Sequence, residues 1–224
     1  MVEKLIGRLI GLTLLVITGV AQATVIWDNN IEPDGFNGRA TSPVSFPDMR
    51  VVDDIIFGSS FVINDFHFTT INDDNVGWSP GDTIEVYIYN DNGGAPGTFN
   101  SSQTTTDWMR MATGGILFDR PVYEYWVDGL DFALDAGTYW IGSRLPNAIS
   151  TGGGSSYWMT SDGGPDGGAS STGYFSVDAG ENWIAEGSGW HHAFTVTVPE
   201  PATVLLLGLG LAGLGFARRR RLNA

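Results

Sequence analysis

Three short stretches of this chain crowd carboxylates and amides together: INDDN (71–75), NDNGG (90–94) and SDGGPDGG (161–168). A hard cation such as calcium takes roughly six to eight oxygen ligands, commonly from flexible loops. Asp73, Asp74, Asp91, Asp162 and Asp166 are therefore candidate calcium ligands, and calcium is the only cofactor the sequence suggests. None of the three stretches follows the EF-hand order or a Gly-Gly-x-Gly-x-Asp repeat. The bland alternative is that Asp and Asn here simply make turns.

Aromatic side chains are the second source of chemistry. All eight tryptophans fall between residues 24 and 198. Sugar rings stack on exposed aromatic faces, the same faces that otherwise pack a core. Tyr87, Tyr89, Trp158 and Trp190 are the candidates for such stacking, and core or rim packing is the competing role of each. The histidines are His67, His191 and His192. Neighbours on a strand face opposite ways, which argues against His191 and His192 sharing one metal. Cysteine is absent, so there is neither a thiol nucleophile nor a disulfide. The Gly-x-Ser-x-Gly elbow and the His-Glu-x-x-His motif are absent as well. Glu85 and Glu124 are among many carboxylates that could pair as in glycosidases, but in so acidic a chain some pairing is inevitable. The chain is not expected to be an enzyme.

The two ends speak about destination. Lys4 and Arg8 flank the apolar run Leu9 to Val20, and Ala21-Gln22-Ala23 offers a small-x-small cleavage site, the layout of a secretory signal peptide over 1–23. Near the other end, Pro199-Glu200-Pro201 precedes an uncharged run from Ala202 to Ala217, followed directly by Arg218, Arg219, Arg220 and Arg221. As a helix the run reaches about 24 Å, a short membrane span. Flanking arginines keep their side cytoplasmic. The prolines hold the peptide before the span extended, as a processing enzyme requires. Together these parts, over 199–221, resemble the PEP-CTERM sorting signal of Gram-negative bacteria. The resemblance implies recognition by an exosortase, transient anchoring in the inner membrane, and transfer to the cell surface or exopolysaccharide matrix. The same tail type is found on some ice-binding proteins, but the single threonine cluster QTTTD (103–107) lacks the repeat that ice binding needs.

What remains, 24–198, is long enough for one domain with a sizeable core. It holds 23 of the chain's 25 acidic residues against five arginines and no lysine, and so repels nucleic acid. DTIEVYIYN (82–90) alternates, with Ile84, Val86 and Ile88 on one face and Tyr87 and Tyr89 on the other, the pattern of a half-buried strand. Further strands are predicted at 24–28, 50–57, 122–129, 137–145 and 191–198, and in 60–70 with a change of phase near Asn64-Asp65. Turn residues separate them and no helical stripe appears. The expected fold is an all-β, jelly-roll-like sandwich. Its expected role is structural or adhesive within the envelope or exopolysaccharide, with carbohydrate binding through exposed aromatics as the alternative.

Overall fold

Strands rich in Val, Ile, Phe and Tyr, punctuated by Gly, Asn and Asp, fold here into three sheets. A computed structural model describes residues 23–30, 38–40, 48–73, 81–145, 155–162, 166, 172–187 and 189–199. Among them there is no helix. The strands are β1 (Ala23–Asp28), β2 (Gly38–Ala40), β3 (Arg50–Phe57), β4 (Phe61–Ile63), β5 (Asp65–Asn72), β6 (Ile84–Asp91), β7 (Pro96–Thr105) and β8 (Trp108–Leu117). They continue with β9 (Arg120–Val127), β10 (Phe132–Leu134), β11 (Gly137–Arg144), β12 (Ser156–Ser161), β13 (Tyr174–Ser176), β14 (Ile184–Ala185), β15 (His191–His192) and β16 (Phe194–Pro199). The chain divides into two compact units, Val25–Val198 and a second made of Met1–Thr24 with Pro199–Ala224. The architecture below is that of the first.

The six-stranded sheet runs β14-β13-β3-β11-β6-β7. The eight-stranded sheet is organised around β5, which pairs with β9 along one edge. Its other edge is shared, with β16 taking Asp65 to Phe68 and β12 taking Thr70 to Asn72. A two-stranded sheet pairs β4 with β10. The phase change expected near Asn64 is a real break: β4 ends at Ile63, and Asn64 ties to Leu130 instead through backbone (2.8 Å) and side-chain (3.0 Å) bonds. The β8–β9 hairpin turns on Phe118 and Asp119, both at positive φ (52° and 60°), as a two-residue hairpin requires.

One hydrophobic core draws on both large sheets. Val51, Ile55, Ile84, Val86, Ile88 and Ile141 come from the six-stranded sheet, and Phe66, Phe68, Tyr125, Trp158, Phe194 and Val196 from the eight-stranded one. Alternation assigns these faces as the sequence predicts: Ile84, Val86 and Ile88 all point into this core. The opposite face of β6 departs from expectation. Tyr87 and Tyr89 are buried too, in a second cluster with Val52 and Trp140, against which Tyr174 and Trp183 pack. The segment around β13 and β14 covers that face, so β6 is buried on both sides.

Candidate functional site

That covering segment makes one wall of an open groove of ≈ 730 Å³. Its other wall comes from β6, the turn after it and the start of β7. Arg50, Glu85, Tyr89, Asp91, Asn92, Phe99, Glu181 and Trp183 line it. The turn that presents Glu181 and Trp183 is built locally. Asp178 accepts hydrogen bonds from Ser176 Oγ (2.6 Å), Asn182 N (2.9 Å) and Asn182 Nδ2 (2.6 Å), and these hold its carboxyl down at about 2. Ser176 Oγ in turn accepts from Asp178 N (3.2 Å) and Gly180 N (2.9 Å). Tyr89 is the groove's buried floor: Trp183 meets it edge-on at 4.9 Å, Phe99 at 5.5 Å, and its hydroxyl donates to Ala179 O at 3.3 Å. Phe99 is 56 % exposed, and the buried indole N–H of Trp183 has no acceptor among the described residues. Arg50 lies 3.7 Å from Glu85. Aromatic faces beside carboxylate and guanidinium groups can stack a sugar ring and hydrogen-bond its hydroxyls.

The residues singled out from the sequence are scattered relative to this groove. Tyr89 lines it from beneath, but it is buried, as are Tyr87 and Trp158, so none of the three offers an open stacking face. The reason is packing: Trp158 sits at 0 % exposure among Phe66, Phe68 and Phe194, and Tyr87 is covered on the outer face of β6. Trp190 is half-buried, outside the groove. The groove's own aromatics, Phe99 and Trp183, were missed. Trp183 lies in GENWIAEG, a turn-rich stretch with no alternation to flag it.

The four described acidic candidates, Asp73, Asp91, Asp162 and Asp166, do not gather into one site. Asp73 forms an ion pair with Arg120 and accepts from Ser155 N at 2.7 Å. Asp91 closes the turn onto Gly93 N (3.0 Å) and Gly94 N (3.1 Å) and accepts from Trp140 Nε1 (3.0 Å). Asp166 and Asp162 accept from Asp28 N (2.6 Å) and Asn30 Nδ2 (3.5 Å) respectively. Asp74 and Ala21 lie outside the described residues, and Ala23 opens β1.

Among the described residues, two mixed carboxylate–imidazole groups form. In the first, Asp65, His67 and Asp128 come from β5 and the end of β9, with donor atoms within 4.8 Å of one another. Burial pushes His67 below its ordinary value, against the opposing pull of Asp65 and Asp128. The second group is in the interior. Asp53 on β3 accepts a bond from His191 Nδ1 at 3.1 Å and another from the His192 backbone N–H. Burial alone would raise the Asp53 pKa and lower that of His191. The hydrogen bonds and opposite charge overcome it, leaving Asp53 at about 2 and His191 above its usual value.

Comparison with known proteins bears on the tail. Residues 197–221 match the family model of the PEP-CTERM protein-sorting motif. No curated protein and no solved structure gives a significant match. Within the matched segment, residues 197–199 complete β16, while Glu200, Pro201 and Arg218 to Arg221 lie outside the described residues. Among the described residues no helix is long and apolar enough to cross a membrane, and the 202–217 run is not among them. The chain thus carries a PEP-CTERM sorting motif, which marks it as an exosortase-targeted protein, exported and transiently anchored in the membrane before release at the surface.

Proposed function

We propose that the exported domain is a structural and adhesive component of the envelope or exopolysaccharide matrix of a Gram-negative bacterium, and that it binds polysaccharide rather than catalysing a reaction. On this reading the two large sheets form a jelly-roll-like sandwich behind a cleavable signal peptide, and the 202–217 run is the temporary membrane helix. The observation that carries the adhesive role is the groove over Tyr89, where Phe99 and Trp183 stand among Arg50, Glu85, Asp91 and Glu181. Retention on the organism's own exopolysaccharide tests it. Trp183→Ala should weaken retention about tenfold, a loss of about 1.4 kcal/mol. The exposed Glu181→Gln should weaken it without changing the melting temperature, because surface substitutions stay within about 0.5 kcal/mol. Unchanged retention in both would remove the groove from the account. Release of reducing ends from the polysaccharide would make the protein an enzyme.

The sorting route has its own test. With Pro199-Glu200-Pro201 replaced by three alanines, export should persist while processing stops, because the apolar run and the arginines remain. Immunoblots of membrane fractions should show the uncleaved form accumulating. Maturation at the normal rate would show that exosortase reads some other feature.

A further inference from the structure

Asp53 and Asp54 stand next to each other in the middle of β3, both fully buried. His191 and His192 make up β15, which pairs with β12 in the other large sheet. One donor atom from each of Asp53, Asp54 and His191 lies within 4.8 Å of the others. The ring of His192 is beside them, with Nδ1 3.6 Å from Asp53 Oδ2. That ring is completely buried, yet neither of its nitrogens has a hydrogen-bond partner among the described residues. Gly173 keeps the neighbouring space clear, since a Cβ there would lie 2.6 Å from His192 Nδ1. Trp158 holds the ring's other side, with centroids 4.7 Å apart.

We propose that Asp53, Asp54 and His191 bind one divalent first-row transition ion, zinc in type, which clamps β3 to β15, with the buried ring of His192 alongside. Two carboxylates gathered beside imidazole rings in the interior are costly to bury, and a dication offsets that cost. Two carboxylates and one imidazole make a three-ligand protein set of the kind zinc accepts, with water in the fourth position, whereas calcium and magnesium prefer oxygen alone. Zinc bonds of about 2.0–2.2 Å draw the donors closer than their present spacing. His191, at 6 % exposure, is the member of the group nearest to solvent and marks the entry. In a chain without cysteine, a metal is the available cross-link between the sheets. The inference is independent of the polysaccharide groove.

The full chain, purified in mild detergent and stripped with a chelator, provides the test. It should carry His67→Gln, so that the Asp65–His67–Asp128 group cannot supply the signal. Cobalt should bind at one equivalent and give the visible ligand-field absorption of a low-coordinate nitrogen–oxygen site. Zinc at a hundredfold excess over its dissociation constant should raise the melting temperature by roughly 5–10 °C. Calcium and magnesium at equal concentration should do far less. Asp54→Asn and His191→Gln should each weaken cobalt binding at least tenfold, with metal-free circular dichroism confirming that the variants fold. If a variant does not fold, the stoichiometry and the zinc-over-calcium preference of the parent chain decide alone. Absence of stoichiometric cobalt, equal shifts from zinc and calcium, or unchanged affinity in folded variants would overturn the proposal.

Discussion

Gly142→Ala should cost this fold about 4 kcal/mol or more, a large part of the roughly 5–15 kcal/mol that holds a domain together. Gly142 lies in β11, between β3 and β6, directly across from Tyr87. The Tyr87 ring crosses over it to reach β3, near where the registered β11–β3 pairing ends at Ile141 and Asp53. Its hydroxyl accepts from Val51 N (3.0 Å) and is within hydrogen-bonding distance of the carbonyls of Val51 (3.0 Å) and Ser143 (3.2 Å). Burial pushes the phenol's pKa well up, so the group stays a donor. A Cβ on residue 142 would lie 2.0 Å from Val51 O and 2.5 Å from Tyr87 Cε2. The first of these is backbone and cannot swing away. Overpacking costs about 1–3 kcal/mol and sometimes more, and losing the hydroxyl's bonds adds about 1 kcal/mol each. At about 2–4 °C per kcal/mol, the melting temperature should fall by roughly 8–16 °C, read by circular dichroism. A variant melting within about 2 °C of the parent would show that the strand accommodates the methyl group.

Trp158→Ala should cost about 3–5 kcal/mol, the range for deleting a large buried ring. The indole is fully buried, packs against Phe66, Phe68, Phe194 and His192, and donates its N–H to Ala193 O at 2.9 Å. The wall of the resulting cavity would be shared by β5, β12 and β16, so it could not close without moving a sheet. Urea denaturation should show the midpoint falling in a single cooperative transition. The folded fraction should still bind polysaccharide normally, in contrast to Trp183→Ala. A loss under about 1 kcal/mol would mean the site collapses around the smaller residue.

Trp158 also illustrates what a linear reading sees. β3 is legible to the residue and β11 within one, because both carry runs of β-branched and aromatic residues bounded by turn residues. β7 and β8 were missed. PGTFNSSQTT is largely exposed along its length, and as an edge strand it needs no apolar face. Among the described residues WMRMATGGIL pairs only with β9, and it is exposed for the same reason. Asp91 was legible as a turn residue, since its hydrogen bonds to Gly93 and Gly94 are local, whereas Asp73, Asp162 and Asp166 find partners far along the chain. The groove was not legible, because it depends on residues near 180 folding over β6, a contact some 90 positions away. The two histidines differ as the pleat implies: His191 turns its ring to Asp53, while His192 gives Asp53 its backbone N–H and packs its ring against Trp158.

The position of β16 carries a consequence for timing. The last strand before the sorting tail lies between β1 and β5, with Asn29 N bonded to Phe194 O at 2.9 Å. First and last strands are thus neighbours, and the contact that joins them closes a loop spanning almost the whole domain. A chain threaded across a membrane N-terminus first would have no partner for β1, and no cover for β5 from Asp65 to Phe68, until residues 194–199 had emerged. Long-range closures of this kind are intrinsically slow and must await their final segment. The domain would therefore remain unfinished throughout translocation. It would complete its larger sheet only as the segment bearing Pro199-Glu200-Pro201 comes within reach of the peptidase. Arrival of the sorting signal and completion of the fold become one event, and a chain broken off early would have neither.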